Sequence, residues 1–293
     1  MARHGVPKRP ALAVKVGNEP FGARPQSGLN DADIVFDTPA EGFIMRYIAV
    51  YQCSDAASIG PTRSVRWVDW HLVRQFIHPI LAFAGGINPN VDQVEAFHWL
   101  HAADLLNGAG GAGVRISQRV PPDNLYTSTA SLYRLFPKAG GPPRPIFRFS
   151  SRVPGGGVRT TSASIDFSYG TDVVWKWDPP AHGWLHTYSG AIDVDALTGR
   201  PVTATNVILL LVDYRFGPYA ESTGGSGDFE SMTLGRGVGY VLRNGEAIKV
   251  TWHRTYLISP FSFTRAHGET VSLAPGRTWV ELVPVGTSLA LEH

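Results

Sequence analysis

Lys138-Ala139-Gly140-Gly141-Pro142-Pro143-Arg144-Pro145 divides this chain into two unlike halves. Proline lacks the N–H that helices and central strands need, so a Gly/Pro run of this kind reads as a linker. Before it, strand-like and helix-like segments alternate. After it, no helical pattern stands out. The expected fold is α+β: an N-terminal α/β domain with a mixed sheet over 1–140, then a β-rich, all-β C-terminal domain over 141–290. Leu291-Glu292-His293 looks like the stub of a vector-encoded tag and is set apart from both domains.

In the first half, Ala11 to Val16, Asp33 to Phe36 and Ile44 to Tyr51 are rich in β-branched and aromatic residues and read as strands. Asp69 is expected to cap a helix that presents Leu72, Val73, Phe76 and Ile77 on one face, and Pro79 to stop it. Ile80 to Ala84 reads as a buried strand, Val91 to Ala102 as a second helix, Val114 to Val120 as a strand and Ser128 to Leu135 as a short helix. The second half reads as strands at Ser164 to Tyr169, Val173 to Trp177, Trp184 to Tyr188, Asn206 to Tyr214, Phe229 to Leu234, Val238 to Leu242, Ala247 to Trp252 and Trp279 to Pro284. Asn244-Gly245 is a hairpin signal, because both central residues of a type I′ turn need positive φ.

Composition excludes several classes. Hydrophobic content of 43% with 17% charged residues is globular, and a formal charge of +2 does not by itself point to nucleic acid. One cysteine, Cys53, allows neither an internal disulfide nor a cysteine metal cluster. His98 and His101 have no evident third ligand and no HExxH pattern, so neither metal nor cofactor is expected. Gly224-Gly225-Ser226-Gly227 lacks the Lys-Ser/Thr of a phosphate-binding loop.

The candidate site centres on Ile59-Gly60-Pro61-Thr62-Arg63-Ser64-Val65-Arg66-Trp67-Val68-Asp69, joined by Arg24, Gln26 and Ser27 upstream and by Glu41 and Arg46. Guanidinium forks match carboxylate and phosphate geometry, so Arg46, Arg63, Ser64 and Arg66 ahead of a helix are expected to bind an anion. The competing account pairs these arginines internally with Glu41, Asp37 or Asp69. Glu41 with Asp37 or Asp69 is weighed as an acid/base pair, although sequence supplies no distance between them. No catalytic residue is assigned. The tryptophans of the β half are expected in its core.

Several co-linear runs carry a resemblance: Ala13 to Asn18, Ala23 to Leu29, Ala32 to Gly42, Ile59 to Arg66 and, in the second half, segments such as Asp195 to Gly199 and Pro275 to Trp279. Together they resemble the YerB-like lipoproteins, a bacterial two-domain family of unknown function. The resemblance implies an extracytoplasmic place in the cell envelope, often through a lipid anchor, and implies no settled activity. Since Met1 to Gly5 holds no apolar segment, an export signal is expected to have been trimmed. Asn124 completes the candidate set. Where the resemblance leads one to expect histidine before it, Asp123 stands here, which disfavours a histidine-dependent role.

The expected function is a cell-envelope protein that binds an anionic ligand, a cell-wall polymer, a peptide or an envelope protein through the arginine cluster. The alternatives are an envelope enzyme acting on cell-wall glycan or peptide, and a structural or adhesive module. A deep cleft holding a carboxyl of raised pKa would favour the enzyme.

Overall fold

A computed structural model describes residues 6–167, 172–220 and 227–293, with the backbone alone for Phe43. The end of the expected strand at Ser168 and Tyr169, and most of the loop at Gly224 to Gly227, lie outside the described residues. In the first half the elements are β1 (Leu12–Val16), β2 (Ile34–Pro39), β3 (Met45–Tyr51), α1 (Trp67–Val73), β4 (Ile80–Phe83), α2 (Asn88–Ala96), β5 (His101–Asp104) and α3 (Thr129–Leu135). In the second half they are β6 (Ser162–Asp166), β7 (Asp172–Asp178), β8 (Gly183–Tyr188), β9 (Asn206–Val212), β10 (Tyr214–Ala220), β11 (Gly227–Ser231), β12 (Gly235–Arg243), β13 (Glu246–Arg254), β14 (Ser262–Thr264), β15 (Thr278–Pro284) and β16 (Ser288–Glu292).

The expected α+β class holds, and the described second half contains no helix. Its halves share one mixed sheet, in the order β14-β13-β12-β9-β15-β2-β3-β1-β4-β5. The seam is a parallel pairing of β15 with β2, in which Ile34 stands opposite Thr278 and Asp37 opposite Glu281. The linker therefore marks a change of composition and not a break in the sheet. A second sheet, built on β8-β7-β6-β16, packs on one face of the first, and tryptophans 175, 184 and 279 fill the space between them. The opposite face is covered by α1 and by Phe147, Phe261 and Phe263.

Several boundaries move. α1 begins at Trp67, so Asp69 is not its cap: its carboxylate accepts the Arg66 N–H from three residues inside, at 2.8 Å. The second helix ends at Ala96, and His101 opens β5, so His98 and His101 do not share a helical face. Only Val114–Arg115 of the expected 114–120 strand is paired. Ser128 caps α3 by accepting the Ser131 N–H at 3.1 Å. Asn244 and Gly245 take φ of 54° and 75° and turn β12 into β13, as the Asn-Gly signal requires. Leu291 and Glu292, set apart as a tag stub, extend β16 along Ala163 and Ser162 of β6.

Candidate functional site

Alternation along β1, β2 and β3 sends neighbouring side chains to opposite faces, so the candidate residues separate into two groups. On the α1 side, the loop 59–66 runs beside β1: Arg63 N donates to Lys15 O at 3.0 Å, and Ala84 N donates to Arg63 O at 2.9 Å. That places Arg63 and Arg66 beside Arg46 of β3.

There the three arginines and Glu41 converge, as the anion-pocket reading requires, but carboxylates already occupy them. Arg66 grips Glu41 with two parallel N–H groups, the Nη2–Oε2 contact at 2.8 Å. Arg46 faces Glu19 at 3.2 Å and Glu41 at 3.7 Å. Arg63 bridges Glu19 at 3.1 Å and Asp123 at 2.8 Å. Three cations meet three anions, and the row is balanced without a ligand. Burial acts to raise the Glu41 pKa, but the hydrogen bonds and charge of Arg66 outweigh it and hold the carboxyl below its usual value.

The internal-pairing account thus describes this row, with amended partners. Glu19 and Asp123 were not foreseen as partners. Asp69 pairs with Lys15 at 2.6 Å, both side chains fully buried, and Thr38 Oγ1 accepts a second Lys15 N–H at 3.1 Å. Ser64 is half-buried in the loop, and Asn124 accepts from Arg115 at 2.7 Å.

Arg24 and Gln26 belong to the other face. Arg24 Nη2 reaches Asp193 at 2.7 Å, its guanidinium lies over Tyr188 at 3.8 Å, and it also donates to Asn18. The Gln26 side chain donates to Gly17 O at 3.0 Å and Asn18 Oδ1 at 2.8 Å, while the Gln26 backbone carbonyl accepts the Ala196 N–H at 2.7 Å. Ser27 donates to Ser58 O at 3.1 Å. Arg24 and Gln26 thus fasten the 17–28 loop to the 193–200 loop of the second half, while Ser27 ties it to Ser58.

Asp37 lies deeper on this face and does not approach Glu41 as an acid/base partner. It sits fully buried beside Glu281, whose Oε1 accepts from Trp175 at 2.8 Å. Burial, then the neighbouring carboxyl charge, pushes Asp37 well above the usual carboxylate range, and burial raises Glu281 as well. Two such groups side by side in a dry layer favour a shared proton.

Beyond α1 lies a cleft that the sequence reading missed. It has a volume of about 490 Å³ and is walled by α1, α2, the 97–99 segment and the β10–β11 hairpin. Trp67, Trp70, His71 and Arg74 recur at helical spacing, which turns them to one side of α1 and its 3-10 extension. That stripe was the available signal, overshadowed by the apolar stripe Leu72, Val73, Phe76. Phe97 and Trp99 pack together at 4.7 Å on the facing wall. Asp228, 2% exposed, lines the cleft and accepts from Asn90 at 2.6 Å, while its Oδ1 has no partner among the described residues. Burial pushes its carboxyl up to about 6, against the opposing Asn90 hydrogen bond and Arg66 charge. Arg215, ion-paired with Glu230, closes one side.

Two profiles of one family match: "Protein of unknown function (DUF3048) N-terminal domain" over residues 1–141 and its C-terminal domain over 163–280. The chain belongs to this family, which is the YerB-like group whose motifs it carries. It is 29% identical, over 293 residues, to a Bacillus subtilis protein named "Putative lipoprotein YerB", covering 95% of this chain and 82% of the relative. The crystal structure of YerB protein from Bacillus subtilis matches with a TM-score of 0.82 and 24% identity, over 97% of this chain and 94% of that one, and shows the same fold.

Proposed function

We propose that this chain is an envelope-associated binding protein whose ligand, a cell-wall polymer, a peptide or an envelope protein, engages the aromatic cleft beside α1. The extracytoplasmic setting is supported by the lipoprotein name of the Bacillus subtilis relative. One observation carries the choice of surface: the cleft combines ring-lined walls with a buried carboxyl whose Oδ1 is unpartnered among the described residues, whereas the arginine row next to it is charge-matched.

A thermal-shift screen with muropeptides, teichoic-acid fragments, phosphosugars and acidic peptides tests this. A ligand that binds only the folded chain raises Tm with concentration. A saturable shift that Trp67→Ala abolishes, in a variant that still unfolds cooperatively, supports the cleft. A shift lost only in a folded Arg63→Gln variant returns the site to the arginine row.

A second reading follows from the Asp228 carboxyl at about 6 inside a cleft, the feature expected of an enzyme acting on glycan. New reducing ends on incubation with cell-wall glycan, lost in Asp228→Asn, would establish it. Their absence leaves the binding reading.

A further inference from the structure

Arg74 differs from every arginine of the neighbouring row. Its Nη1 donates to the Ile77 carbonyl at 2.7 Å, its guanidinium stacks on Trp99 at 4.5 Å, and it makes no salt bridge among the described residues. A guanidinium carries five N–H donors, and this one commits few of them to the protein while lining a cleft. Asp228 presents the opposite need on the same cleft: a buried side chain with Oδ1 unpartnered, an acceptor waiting for a donor. A buried polar atom without a partner calls for an explanation, and on the wall of a cleft a bound molecule is one that geometry allows.

We infer that the cleft takes an acidic saccharide, a sugar bearing a carboxylate or phosphate, with Arg74 on the acid group and Asp228 Oδ1 on a hydroxyl. This inference rests on the cleft reading and names the ligand class for it. The chemistry follows from the lining. A sugar ring has C–H faces that suit the exposed aromatic surface of Tyr219, and hydroxyls that donate as readily as they accept. Its anion supplies the counter-charge that Arg74 lacks, and an Arg fork holds carboxylate or phosphate through two parallel bonds. Tyr219, 51% exposed, stands at the rim where an extended polymer would pass. An acidic peptide shares the anion and not the hydroxyl-bearing ring, so it is the competing occupant.

Matched pairs separate these. Tryptophan fluorescence and calorimetric titration of the full chain would compare N-acetylmuramic acid with N-acetylglucosamine, and glucose 6-phosphate with glucose. Within each pair the ring is shared and the acid group differs. The expected result is binding of at least one acidic member, roughly tenfold tighter than its neutral partner, as a charge-assisted hydrogen bond predicts. Arg74→Gln should abolish that preference while leaving residual neutral-sugar binding. Because Arg74 also holds Ile77, Tyr219→Ala serves as a second variant at an exposed position. It should weaken both members of a pair alike and leave their ratio intact.

Equal affinity within both pairs, or a preference that survives in folded Arg74→Gln, overturns the inference. Saturable binding of an Asp-Glu peptide without any acidic sugar overturns it too, while leaving the cleft as the binding site. Failure of every ligand in the wider screen removes both readings.

Discussion

The arginine row and the aromatic cleft stand on either side of the α1 N-terminus and have opposite chemistry. In the row, Arg46, Arg63 and Arg66 meet Glu19, Glu41 and Asp123, so each charge finds its partner within the chain. In the cleft, among the described residues, Arg74 has no carboxylate partner and Asp228 Oδ1 has no donor. Charge alone does not mark a binding site. A paired guanidinium has little left to offer, while an incomplete polar set inside an aromatic wall offers both affinity and selectivity.

The largest expected effect lies beneath the row. Asp69 neutralises Lys15 and closes the first turn of α1, with both side chains out of water. Removing one partner of a buried pair costs about 3–5 kcal/mol, so Asp69→Ala should lose that much in urea unfolding. Adding Lys15→Met should restore much of it. A loss below roughly 1 kcal/mol, the size of an exposed pair, would show that the ion pair does not hold α1 to the sheet.

The second effect concerns the other face of the same strands. Asp37 and Glu281 have folded pKa values raised above their ordinary 3.8 and 4.5, so the folded state holds their protons more tightly than the unfolded state does. The stability this contributes is full below about 4 and is lost as pH rises toward the raised folded values. Asp37→Asn removes the carboxyl repulsion, and its Tm should exceed the parent's at pH 8, with the gap closing as pH falls to 4. A gap independent of pH would remove the shared-proton description.

The smallest effect isolates the comparison itself. Arg63 pairs at a half-buried position, so Arg63→Gln should cost about 1 kcal/mol and leave cleft binding unchanged. Titrating the parent and this variant with one cleft ligand checks it. A weakened affinity at unchanged stability would make the row part of the binding surface.

The fold class was legible because its signals are local. Proline and glycine break elements wherever they occur, and alternating or 3.6-residue apolar patterns report burial along a short stretch. Asn244-Gly245 named its turn for the same reason. The candidate site was legible in part. Arg46, Arg63, Arg66 and Glu41 do come together, while Glu19 and Asp123 approach them from loops 44 and 60 residues distant from Arg63 in sequence. The stripe of Trp67, Trp70, His71 and Arg74 was visible as spacing, but its facing wall was not.

By itself, then, the sequence determined the α+β class, the main strands and the clustering of arginines near α1, all of which follow from short-range periodicity, turn chemistry and family motifs. Only the tertiary structure decided that β15 inserts beside β2 and joins both halves in one sheet, setting Asp37 against Glu281. It also decided that the arginines are neutralised and that Asp228 of β11 meets Asn90 of α2 across 138 residues. The reason is physical: pairing partners, burial and carboxyl pKa depend on which distant segments share a dry interface, and no local pattern encodes that choice.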